Sequence, residues 1–152
     1  MIIAHRGNVA GPNPEEENRP DIVDLVYHKY QFHSEIDLWR MNEKFFLGHD
    51  LPQYEVDLKW LKTRANIIWI HCKNIAALTA LPLTGIDFNY FWHEEDAYTI
   101  TSKGYIWAYP GKKLDKRSNK AIAVMPEITE MPFEELKNFT GICTDWGVNY
   151  IK

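Results

Sequence analysis

Eight short β-like runs, nearly every one ending in a polar or ionisable side chain, limit what this chain can fold into. They are Ile2–Ala4, Ser34–Leu38, Ile67–Ile70, Asp87–Phe91, Ala97–Thr101, Tyr105–Ala108, Ala121–Val124 and Gly141–Thr144. β-Branched and aromatic residues dominate several of them. Glu43–Gly48 reads as a further short strand that pairs outside this set. Helical signals lie between some runs. Pro20-Asp21 opens an apolar-periodic stretch from Ile22 to Tyr30, with proline suited to a first turn and acids to the N-terminus. Asp57–Lys62 reads as a second short helix, Ile75–Leu81 as a third that Pro82 stops, and Pro132–Phe139 as the last, with Gly141 just past its end. No good helix is legible between Phe91 and Ala121.

Strands that alternate with helices argue for a parallel sheet. Eight of them predict an α/β fold of the compact (β/α)8 TIM-type barrel kind. Such barrels usually take about 250 residues, and this chain has 152. It fits only if several outer helices are shortened or missing. The expectation is a single domain over residues 1–152, with self-association into a homo-oligomer covering apolar surface that the absent helices leave bare.

Bulk composition narrows the function classes. Net charge is −4, so the chain carries no general basic footprint for nucleic acid or an anionic membrane. Lys112, Lys113, Lys116, Arg117 and Lys120 form a local exception, read first as a solvated loop and second as a rim that attracts an anion. No apolar run approaches the roughly 20 residues of a membrane span, and no basic start with a long apolar stretch marks a leader. Cys72 and Cys143 lie in apolar runs, too few for a disulfide framework or a zinc spacing. Buried free thiols and a cytoplasmic location are expected. Aromatic residues reach 14 %, which mostly fills a core, with Trp39, Trp92, Trp107 and Trp146 as candidate pocket walls.

In a barrel of this kind, reactive groups gather at the C-terminal strand ends. Here those ends carry His5-Arg6, Asp37, His71 and Lys73, His93-Glu94, Thr101-Ser102, Tyr109, Glu127 and Asp145. A polar loop after any strand explains part of that pattern. It explains less well why His5, His49, His71 and His93, four of the six histidines, fall there. Glu35 and Asp37 stand two apart on one strand and so point the same way. Two carboxylates on one face suit a hard cation such as Mg²⁺ or Ca²⁺; salt bridges to Arg40 and Lys44 are the plainer reading. His5 and His49 are acid–base candidates, since imidazole titrates near neutrality; a satisfied buried histidine and a turn residue are the alternatives. Arg6 and Lys73 can grip phosphate oxygens, or pair with Glu17 and Asp37. His93 and Trp107 either line the pocket or pack beneath its rim. Together the set suits metal-assisted chemistry on a phosphate ester.

These motifs resemble the glycerophosphodiester phosphodiesterase family, within the phospholipase C-like phosphodiesterases. The resemblance lies in His5-Arg6-Gly7 at the first strand end, Pro14 to Asn18, Glu35-x-Asp37, His49-Asp50 after a hairpin, Lys73, and the tail Thr144-Asp145. It covers most of the chain, thinly after Lys73. It implies a barrel, a divalent cation on Glu35 and Asp37, phosphate held by Arg6 and Lys73, and acid–base work by His5 and His49. It also implies a glutamate two residues before the lysine as third metal ligand. This chain has His71 there. Either the cation is softer, Mn²⁺ or Zn²⁺, or a third ligand comes from elsewhere, with Glu127 the first substitute and Glu17 the second.

The expected function is a metal-dependent phosphodiester hydrolase acting on a small glycerol- or polyol-phosphodiester. A non-catalytic binding module on the same scaffold and a sugar-phosphate lyase or isomerase are the alternatives.

Overall fold

Side-chain alternation along short parallel strands builds this molecule in layers. In the computed structural model, which describes residues 1–151, ten strands form one mixed, curled sheet. They are β1 (Ile2–Ala4), β2 (His33–Met41), β3 (Lys44–Leu47), β4 (Tyr54–Val56), β5 (Ile68–Cys72), β6 (Asn89–Phe91), β7 (Tyr98–Ile100), β8 (Ile106–Ala108), β9 (Ala121–Val124) and β10 (Gly141–Thr144). Seven of them run parallel, in the spatial order β6-β5-β2-β1-β10-β9-β8. The long second half of β2 continues past β1 and carries the antiparallel strands β3 and β4. β7 lies antiparallel on β8.

The predicted (β/α)8 barrel is not formed. The sheet curls into a half-barrel, and four helices accompany it among the described residues: α1 (Pro20–Tyr30), α2 (Leu58–Thr63), α3 (Ile75–Leu83) and α4 (Phe133–Leu136). The departure has a local cause. Only residues 101–105 join β7 to β8, and a parallel crossover needs a dozen or more. The chain therefore turns back as a hairpin. β6 and β7 then meet through side chains more than through a ladder. Ser102 N–H donates to Tyr90 O at 2.8 Å, the Ser102 hydroxyl donates to Phe88 O at 2.9 Å, and Thr99 donates to Trp92 O at 3.0 Å.

Helices pack on the outer face of β2 and β5. There Ile36, Leu38, Ile68, Ile70 and Cys72 form a buried layer with Val23, Leu61, Ala77 and Leu81. Asp57 caps α2 by accepting from Trp60 N–H, and Asn74 caps α3 by accepting from Ala77 N–H. α3 runs one residue past Pro82, which the sequence marked as its stop. The outer face of β8 and β9 differs. It presents Ala108, Ala121 and Ala123 with Ile106, covered by Leu114, Phe139, Met131 and Leu136. Small side chains let loop and one-turn helix lie directly on the sheet where a long helix would otherwise sit. Inside the curl, Ile3, Trp69, Phe91, Trp107, Ile122, Val124 and Cys143 form a separate core. No helix among the described residues is long and apolar enough to cross a membrane.

Candidate functional site

Each row of inward side chains changes character as its strand nears the C-terminal end. Ile3 gives way to His5, Trp69 to His71 and Lys73, Phe91 to His93, Trp107 to Tyr109, and Cys143 to Asp145. The apolar members fill the floor. The polar members line a cleft of about 560 Å³ above it, with Glu17, Glu35 and His49 joining them from β2 and the loops. The two-residue period of a strand is the whole reason for this stacking. Thr101 and Ser102 fall outside the cleft, because the antiparallel β7 puts its C-terminal end at the opposite edge. Of the four tryptophans named as pocket walls, only Trp107 lines the cleft.

Glu35, Asp37 and His71 form the ionic centre. They offer one ligand atom each, all within 4.8 Å of one another. Glu35 and Asp37 are 3 % and 1 % exposed. Neither pairs with Arg40 or Lys44, which bind Glu43 and Glu55 instead. Asp37 is held from several sides. Asn18 donates its side-chain N–H to Oδ2 at 2.9 Å and accepts from Asp37 N–H at 2.8 Å. Arg6 Nε lies 3.3 Å from Oδ2, and Lys73 Nζ lies 3.7 Å from Oδ1. Burial alone would raise this carboxyl, but His71, Arg6 and Lys73 hold it far below the ordinary range. Glu35 goes the other way: burial and the Asp37 charge push it up.

His71 bridges the centre to the next strand. Its Nε2 sits 2.9 Å from the carbonyl oxygen of His93. A carbonyl only accepts, so Nε2 carries a proton. Nδ1 faces Asp37 Oδ1 at 3.1 Å and Glu35 Oε1 at 3.8 Å. Nδ1 can meet those oxygens as an N–H donor, or as a lone-pair ligand to a cation between them, the arrangement in which a metal-bound histidine donates its other nitrogen to a carbonyl. Two carboxylates and an imidazole suit Mn²⁺ or Zn²⁺ better than an all-oxygen set does.

Arg6 stands at φ +53°, a left-handed conformation uncommon outside glycine. The turn aims its backbone N–H at Glu35 Oε2, 3.2 Å away, while its guanidinium reaches Glu17 at 3.1 Å as well as Asp37. Arg6 and Lys73 thus make the carboxylate pairs foreseen for them and line the cleft too. His5 Nδ1 is 2.8 Å from Asp145 Oδ1. Burial lowers this imidazole, but the Asp145 bond and the Glu35 charge outweigh it and raise it above its ordinary value. Asn8 holds the same Asp145 oxygen at 2.9 Å. His49 stands at the rim with Nδ1 2.7 Å from Asp50. Its loop is tied to β2, where Gly48 N–H donates to Asp37 O and Trp39 Nε1 donates to Gly48 O at 2.6 Å. Only glycine fits at 48: φ is +149°, and a Cβ would stand 2.0 Å from Leu51 O.

Glu127 is not part of the ionic centre. Its Oε1 accepts from the Thr144 hydroxyl at 2.7 Å and from Asp145 N–H at 3.1 Å, so it braces the turn that carries Asp145. Glu17 is engaged by Arg6 and by Asn8. Three contributors have no assigned role in the expected site: Asn8, Asn18, and Asp145 as the partner of His5. Asp145 stood at a strand end and carried a signal. Asn18 closes the Pro14 to Asn18 segment of the resemblance without a role of its own, and Asn8 carries no signal, since any loop contains such a residue. Burial pushes the Cys72 thiol up to about 12 and Cys143 up as well, so neither supplies a thiolate nucleophile at neutral pH. Comparison with family models, curated proteins and solved structures finds no match to this chain.

Proposed function

We propose that the cleft is the active site of a metal-dependent phosphodiester hydrolase acting on a small glycerol- or polyol-phosphodiester. One observation carries the reading: Glu35, Asp37 and His71 converge within 4.8 Å, and Arg6 and Lys73 both pair with Asp37. Charge supports it. Glu17, Glu35 and Asp37 face two fixed cations, which leaves one negative charge when all three are ionised; His5 and Asp145 compensate one another. A divalent cation reverses the sign of this cluster around Arg6 and Lys73, which favours an anionic phosphodiester there. The bound ion would supply Lewis-acid polarisation of the phosphoryl group.

The chain's own residues do the rest. Arg6 and Lys73 hold phosphate oxygens and balance charge. Asp145 orients His5 with Nδ1 as donor, which leaves Nε2 to move a proton at the reacting oxygen. His49, at the rim, is the second proton carrier. The apolar floor of Trp69, Phe91 and Trp107 keeps water from beneath the site. The resemblance to glycerophosphodiester phosphodiesterases supports the assignment through strand-end residues and not through the sheet, which is a half-barrel. Two buried unpaired thiols suit a cytoplasmic setting.

The direct test is cleavage of a chromogenic glyceryl phosphodiester by purified protein with Mn²⁺, with and without chelator. Chelator-sensitive turnover is expected, and no turnover with any divalent ion sinks the hydrolase. The half-exposed His49, held among the described residues only by its neighbour Asp50, favours the alternative of a binding module. That reading expects phosphate binding without turnover.

A further inference from the structure

His93 is the one cleft residue with an unexplained buried polar ring. Its side chain is 9 % exposed, and neither ring nitrogen has a hydrogen-bond partner among the described residues. Asp96 is the nearest carboxylate, at 4.0 Å from Nδ1, beyond hydrogen-bond reach. Buried polar atoms are seldom left so, because an unmade bond costs about 1–3 kcal/mol. The ring's location is specific. It stands with its centroid 6.4 Å from that of His71, at the edge of the ionic centre, and 5.1 Å from that of Tyr109, at the edge of the aromatic wall. It therefore straddles the boundary between the anion-holding half of the cleft and the apolar half, formed by Trp107, Val124 and Met125.

We propose that His93 is a specificity-determining residue that hydrogen-bonds a hydroxyl of the alcohol esterified to the phosphate. This rests on the phosphate-ester reading of the cleft above. A phosphate seated at Arg6 and Lys73 places its ester carbons a few bonds away, toward the neighbouring strand end that carries His93. An imidazole offers one N–H donor and one lone-pair acceptor, the pair a hydroxyl needs, since a hydroxyl both gives and accepts. The surroundings sharpen the choice. Tyr109, Trp107 and Phe91 form an aromatic wall beside the ring, on which a glycerol or polyol backbone can rest its CH groups and direct a hydroxyl to His93. A site built to bond a hydroxyl rejects the analogue that lacks it, because its own polar group is then left buried and unpaired.

The test measures binding, so it does not depend on turnover. Glycerol 3-phosphate and n-propyl phosphate, which lacks both hydroxyls, are titrated calorimetrically into the Mn²⁺-loaded protein, into His93→Phe and into His93→Gln. The wild type is expected to prefer the glycerol ester by roughly five- to tenfold, the worth of one neutral hydrogen bond. His93→Phe should abolish the preference while keeping n-propyl phosphate and Mn²⁺ affinities within about twofold, and His93→Gln should retain part of the preference. Equal binding of the two esters by wild type, a preference that survives in His93→Phe, or a fall in Mn²⁺ affinity in either variant overturns the proposal. A protein that discriminates in this way but never cleaves a phosphodiester loses the hydrolase reading and keeps His93.

Discussion

The two halves of the cleft are built by different means. On the β1, β2 and β5 side, charged groups are held by bonds that are nearly all made within the protein: Asn18 to Asp37, Arg6 to Glu17 and Asp37, and His71 to the His93 carbonyl. Helices α1, α2 and α3 back this side and bury a full aliphatic layer behind it. On the β6, β8 and β9 side, aromatic rings fill the curl, with Phe91 and Trp107 centroids 4.6 Å apart and Trp69 and Trp107 5.8 Å apart. Behind β8 and β9 the backing is alanine with Ile106, loop and a one-turn helix. Charge placement demands directional bonds and a rigid scaffold, while shape needs only volume in the right place. The molecule spends its helices where directional precision is required.

That contrast predicts opposite outcomes for substitutions on the two sides. The largest effect is expected at Asp37. Asp37→Ala removes the counter-charge of Arg6 and Lys73 in a dry site, which should cost about 3–5 kcal/mol of stability, and Mn²⁺ affinity should fall at least about 100-fold. Calorimetric titration with a denaturant melt checks both, and unchanged Mn²⁺ affinity removes Asp37 from the centre. Trp107→Ala should cost a similar 3–5 kcal/mol through its cavity and leave Mn²⁺ affinity of the folded protein within about twofold. If it damages metal binding as much as Asp37→Ala does, the two halves are not separable.

Smaller effects sharpen the ionic side. His5→Ala and His49→Ala should each lower turnover by roughly 100-fold or more, and the double variant should lose much less than the product. Near-native single variants on a cleaved substrate end the assignment. The mildest test is pH. His5 is raised above its ordinary 6.5 in the folded protein, so its contribution to stability is complete below that value and is lost as pH rises through the raised one. Asp145 is lowered from its ordinary 3.8, where burial opposes but the His5 bond prevails, so its contribution is present above 3.8 and lost as pH falls. The stability gap between wild type and Asp145→Asn should therefore be widest between pH 3.8 and 6.5. A gap that does not change with pH means the two groups are uncoupled.

Much of the ionic half is legible in the chain. Strand-end histidines, the two-residue spacing of Glu35 and Asp37, and the step from His71 to Lys73 all follow from a period that holds over a few residues. Seven of the eight predicted runs take parallel places, and all four helices form near their expected positions. The aromatic half is harder to read. Ala97–Thr101 looks like one more barrel strand, and only the short link to Tyr105 betrays that it must turn back. Strand β4 is not legible in the chain, because Tyr54–Val56 is too short to carry a period and forms by pairing with β3. Glu127 drew attention as a ligand because it follows β9, yet a 3-10 turn at Pro126–Thr129 sends its carboxylate to Thr144 and Asp145.

The sequence by itself determined which faces are apolar, where strands end and which ionisable groups arrive there, since these are local consequences of side-chain alternation and turn chemistry. Tertiary structure alone decided the rest. It set the half-barrel in place of a closed barrel, because closure depends on crossover lengths and on which edges meet. It chose His71 over Glu127 beside the carboxylates, because that choice depends on a hydrogen bond to a carbonyl one strand away. It also paired His5 with Asp145, residues 140 positions apart, because only the adjacency of the first and last strands, β1 and β10, brings them together.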